Sequence, residues 1–163
     1  MRIPKTFATV LAAFALFAAS ALPVMAQPHR APAAAAAQSA IPQSSRMEPA
    51  QLAAMIHAGH APVILQVGSH TLYREAHILG APYAGAGGTP EGLARLRQAV
   101  AHLDRHRLLV IYCGCCPWSM CPNIRPAFEE LRKMGFTDVR AVYIAHNFGT
   151  DWVKHGYPTA KGD

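Results

Sequence analysis

Leu108-Leu109-Val110-Ile111-Tyr112, five apolar residues in a row, run straight into Cys113-Gly114-Cys115-Cys116-Pro117-Trp118-Ser119-Met120-Cys121-Pro122-Asn123. An unbroken apolar run of this length, rather than an alternating one, is the signature of a strand buried on both faces of a parallel sheet. A thiol placed where such a strand ends and a helix is about to begin faces unpaired backbone N–H groups and the positive end of the helix dipole. Both favour thiolate over thiol, and the thiolate is the nucleophile. All four cysteines of the 163-residue chain fall within these nine positions.

Working outward, helix and strand alternate. Pro49 opens a helix with Leu52, Met55 and Ile56 on one face and Gly59 as its stop. Val63, Ile64, Leu65 and Val67 form a short strand. Thr89 and Pro90 make an N-cap and first-turn pair, after which Leu93, Leu96, Val100 and Leu103 recur at helical spacing. Beyond the cysteines, Ile124, Ala127, Phe128, Leu131 and Met134 line one helix face that Gly135 terminates. Val139 to Ile144 reads as a further strand, and a last short helix is expected near Asp151 to Lys154. Strands separated by helices imply βαβ units, hence an α/β domain whose mostly parallel central sheet carries helices on both faces. In such sheets ligands bind beyond the carboxyl ends of the strands, where Cys113 is expected.

The N-terminal part reads differently. Met1 to Lys5 is a short basic start, Thr6 to Pro23 is uncharged and rich in Ala, Leu and Phe, and Val24-Met25-Ala26 has the small-x-small form of a cleavage site. Residues 1–26 are therefore expected to be a signal peptide and the protein to work in the periplasm or outside the cell, with no membrane contact after cleavage. Residues 27–45, mostly Ala, Pro, Gln and Ser, are expected to be a flexible tether, and residues 46–163 the folded domain. The net charge is +6, and removing Arg2 and Lys5 leaves +4. The basic residues never form a run, which argues against a nucleic-acid surface.

Four features in order are similar to those of rhodanese-like domains, the sulfurtransferase fold: Ala76-His77-Ile78-Leu79-Gly80-Ala81, the apolar strand ending in Tyr112-Cys113, Met134-Gly135-Phe136 before a strand, and Trp152 through Gly156-Tyr157-Pro158. The long loop with its Cys-Cys-Pro-Trp and Cys-Pro-Asn elements resembles an exported subgroup. The resemblance implies that Cys113 accepts a sulfane sulfur as a persulfide and passes it to a thiol or to cyanide, without a cofactor, on a small sulfur-containing anion or thiol substrate. The sequence also departs from the pattern. Gln66-Val67-Gly68 replaces the usual Asp-Val-Arg, and the loop is several residues longer, with Asn123 where an Arg is common.

The remaining candidates follow from the loop. Cys115, Cys116 and Cys121 are expected either to resolve a modified Cys113 or to form disulfides within the loop, Cys115 or Cys116 closing more easily on Cys121 than on each other. Gly114, Pro117, Trp118, Ser119, Met120, Asn123 and Arg125 are the candidate substrate-binding residues, Trp118 as a lining of the mouth and Arg125 as an attractor of anions. His77 is expected to be structural rather than a base. No metal is assigned. Two rival readings stay open: a thiol–disulfide redox protein on the same fold, and a non-enzymatic module that binds a metal or a partner through its thiols and Met120.

Overall fold

The computed structural model describes residues 41–163; the expected signal peptide and most of the expected tether lie outside them. Among the described residues, packed structure reaches ahead of Arg46. Ile41 is only 1% exposed and Gln43–Ser45 form a turn of 3₁₀ helix.

The four-stranded sheet contains β1 (Arg46–Met47), β2 (Val63–Gln66), β4 (Leu109–Tyr112) and β5 (Val139–Val142), all parallel and in the order β1-β5-β4-β2. Along β4 the side chains alternate between faces. Leu109 and Ile111 pack under α3 (Pro90–Ala99) and α4 (Ile124–Lys133), whereas Val110 and Tyr112 pack on the other face with α1 (Pro49–His57) and the segment around Phe148 and Trp152. Covering both faces explains why β4 is apolar at every position.

The helix ends behave as their capping residues require. The Thr89 side chain accepts the Gly92 N–H at 3.0 Å, and Gly59 and Gly135 take positive φ at the C-termini of α1 and α4. The last helix differs from expectation. It is α5 (Phe148–Asp151), begun by Asn147, whose Oδ1 accepts the Thr150 N–H at 2.9 Å, and a separate 3₁₀ turn covers Val153–His155. The Asn cap sets the start three residues before the expected one. Four elements are not expected from the sequence: the short β1, α2 (His70–Glu75), and a small antiparallel pair of β3 (His77–Ile78) with β6 (Thr159–Ala160). The Tyr112 hydroxyl accepts the Ile78 N–H at 3.0 Å and so ties this pair to the main sheet. No helix of the described residues is long and apolar enough to cross a membrane.

Candidate active site

The strand β4 delivers Cys113 as expected, but strand parity sends its side chain under α4 with Leu109 and Ile111, and the residue is 4% exposed. Its sulfur presses on the backbone opposite: a Cβ on Gly68 would lie 2.8 Å from Cys113 Sγ. The loop then doubles back. Cys115 Sγ lies 3.2 Å from Cys113 Sγ and 3.3 Å from Cys116 Sγ, and the sulfurs of Cys113, Cys115 and Cys121 all fall within 4.8 Å of one another. The four thiols are unbridged.

Asn123, buried at the start of α4, organises this cluster. Its Oδ1 accepts the Gly88 N–H at 2.9 Å, which fixes the amide so that Nδ2 faces Cys113 Sγ at 3.5 Å and Cys115 Sγ at 3.8 Å. The Ala84-Gly85-Ala86-Gly87-Gly88 run lets the chain come this close, since a Cβ on Gly87 would meet the Asn123 carbonyl at 2.3 Å.

The electrostatics of the four thiols are unequal. At Cys113 the hydrogen bonds to Cys115 and Cys121, then burial, push the thiol far up, against a single loop amide, that of Cys115, which favours the anion. The amides at the start of α4, those of Asn123 and Ile124, reach Cys121 instead. Cys121 is nonetheless raised: the bond from Cys113 favours its thiolate, but the bond to Cys115 and burial outweigh it. Cys116 is raised by burial and by Cys115. The negative charge collects on Cys115, well below the ordinary thiol range, because Cys113 first, then Cys121, Cys116 and Asn123 all give it hydrogen bonds while it stays half-exposed.

Cys115 is also the one cysteine that lines a cavity of about 430 Å³. Its walls are Gln66, Tyr112 and Gly114 at the strand ends, Leu72 and Glu75 of α2 with Ala76 just after it, and Asn147 to Gly149 with Val153. Of the candidate binding residues, Gly114 alone lines it. Trp118 is buried against Tyr143 and under the Arg46 guanidinium, so it is core rather than mouth. Pro117, Ser119 and Met120 are exposed, Met120 at 68%. Arg125 pairs with Glu129 at 2.7 Å. His77 is buried, with Nδ1 2.9 Å from the Tyr73 carbonyl and its ring stacked on Tyr73.

The α2 wall is not legible in the sequence because a six-residue helix is too short to show periodicity, and α5 starts ahead of the short helix expected near Asp151. Gln66 and Gly68, departures from the family pattern, have a structural use. Gln66 Oε1 accepts the Gly68 N–H at 3.1 Å, closing the turn that admits the Cys113 sulfur. The three close sulfurs could hold a thiophilic cation as readily as they could exchange a sulfur atom.

No protein-family model matches the sequence, and neither does any curated protein. Solved structures do match. A rhodanese-like domain from Anabaena sp. aligns with a TM-score of 0.54 at 20% identity, covering 72% of this chain and 79% of its own. A protein from Lactobacillus plantarum aligns at 0.53 and 17% identity over 71% of this chain and 87% of its own. A thiosulfate sulfurtransferase from Pseudomonas aeruginosa aligns at 0.57 and 19% identity over 81% of this chain, which is 23% of that longer one. The fold of this chain is rhodanese-like.

Proposed function

We propose that this rhodanese-like chain is a sulfurtransferase in which Cys115 is the attacking sulfur and Cys113 its buried partner, acting in the periplasm or outside the cell. The observation that carries the reading is the placement of two sulfurs 3.2 Å apart, Cys115 half-buried on the cavity wall and Cys113 buried beneath it, where burial and its thiol neighbours push the Cys113 thiol up and the surrounding donors draw the Cys115 thiol down. The likeness of fold to a thiosulfate sulfurtransferase supports the reaction class.

In the first step the Cys115 thiolate attacks the outer sulfur of a sulfane donor. The donor S–S bond breaks, its electron pair leaves with the donor's remaining part, and a Cys115 persulfide forms. An acceptor thiolate, or cyanide, then takes the outer sulfur and returns the Cys115 thiolate. The Cys113 S–H and the Asn123 amide stabilise the anion at both stages. The same contact favours a second reading, a redox dithiol, because Cys113 and Cys115 need little movement to join as a disulfide.

Reduced protein is incubated with a sulfane donor and its intact mass and thiol map are recorded. Gain of one sulfur on Cys115, lost in Cys115→Ser, is the expected result. Sulfur on Cys113 instead would return the attacking role to the strand-end cysteine. Loss of two hydrogens without sulfur gain, the two electrons passing to the sulfane donor, would favour the redox reading, and metal bound stoichiometrically to reduced protein would favour the binding module. Export is tested separately by the N-terminus of the protein recovered from the periplasm or medium, expected at Gln27.

A further inference from the structure

The cavity that reaches Cys115 is chemically unlike a site for a small inorganic anion. Among the described residues, no Lys, Arg or His lines it, and apart from Cys115 itself its charged residue is Glu75. Of the amides beside the Phe148 ring, the Phe148 N–H is already given to the Gly114 carbonyl at 3.1 Å. An approaching dianion would meet the Glu75 carboxylate and the Cys115 thiolate with no cation to offset them.

Beside the amides of Gln66 and Asn147, much of the remaining surface is apolar. Leu72 and Val153, two of the four exposed large hydrophobic residues among those described, both line this cavity, at 39% and 42% exposure, with Ala76 and the Phe148 ring. A volume of about 430 Å³ suits an organic molecule far larger than a four-oxygen or three-oxygen sulfur anion.

We infer that the sulfur donor is a low-molecular-weight organic persulfide whose apolar body carries a positive charge, the body lying on Leu72, Phe148 and Val153 and the charge facing Glu75. This deepens the sulfur-transfer reading and rests on it. The step balances as before. Cys115–S⁻ attacks the outer sulfur of R–S–SH, the S–S bond of the donor breaks with its electron pair going to the inner sulfur, and RS⁻ leaves and takes up a proton, so that RSH and the Cys115 persulfide are the products.

The test uses the full reduced chain and three donors: an alkyl persulfide ending in an ammonium group, one of equal length ending in a carboxylate, and thiosulfate. The rate of sulfur gain on Cys115 is read by mass. The ammonium persulfide should load roughly tenfold faster than either anion, and Glu75→Lys, a change at an exposed position, should shrink or reverse that preference. Thiosulfate or the carboxylate loading as fast as the ammonium donor overturns this inference and leaves sulfur transfer standing, as does a preference untouched by Glu75→Lys. Loading by none of the three overturns both.

Discussion

At the scale of single residues, the site works by unequal sharing of protons. Four thiols packed within a short loop cannot all ionise, because each new charge would repel the last in a partly desolvated space. One anion stabilised by its protonated neighbours is the arrangement that minimises this cost, and it is favoured at the sulfur that receives the most hydrogen bonds while still open to water. That sulfur is Cys115. Because Cys113 is the leading cause of its lowered pKa, Cys113→Ala should raise it. Alkylation of Cys115 by iodoacetamide is expected to be nearly flat with pH across the neutral range in the parent chain, since the thiolate is already present. In Cys113→Ala the rate should fall as pH drops below the ordinary thiol value of about 8.5, by roughly tenfold at pH 7. A flat profile in the variant would mean that Asn123 and the other thiols hold the charge unaided.

At the scale of elements, the cavity exists because loops approach one another without side chains between them. Gly114 faces the Phe148 side chain so closely that an added Cβ would lie 2.5 Å from Phe148 Cβ, while its carbonyl accepts the Phe148 N–H. Gly114→Ala must therefore push α5 away from the cysteine loop. The expected cost is about 1–3 kcal/mol in chemical denaturation, together with slower sulfur loading of Cys115. A variant with unchanged stability and loading would show that α5 is not held by this contact. The elements α2, β2, β4 and α5 all contribute to the cavity, and only two of them, β2 and β4, carry an apolar run that places them from the sequence.

For the molecule as a whole, the site hangs on a small two-faced sheet, so its stability depends on distant core residues. Ile41 packs into the same cluster as Leu65, Leu109, Cys113 and Leu131. Ile41→Ala should cost about 2–4 kcal/mol, read as a lower denaturation midpoint, whereas Pro42→Ala, at an exposed neighbour, should cost far less. Equal midpoints for Ile41→Ala and the parent would show that the segment before Arg46 contributes nothing to the fold.

The local pattern by itself determined the α/β class, the parallel strands β2, β4 and β5, the helices α1, α3 and α4 with their caps, and the cysteine loop at the end of β4. Each of these is written in runs of neighbouring residues: an apolar string, a helical period, a Thr-Pro start, a Gly stop. Which sulfur is ionised was decided only by the tertiary structure. The parity of β4 turns Cys113 inward, a glycine run from residues 84–88 brings Asn123 against the sulfurs, and the helix amides expected around Cys113 reach Cys121 instead. The character of the cavity was decided the same way, since Leu72, Glu75, Phe148 and Val153 meet there from segments far apart in the chain. Charge and proton position depend on all groups within a few ångströms, and those neighbours are set by packing rather than by order along the backbone.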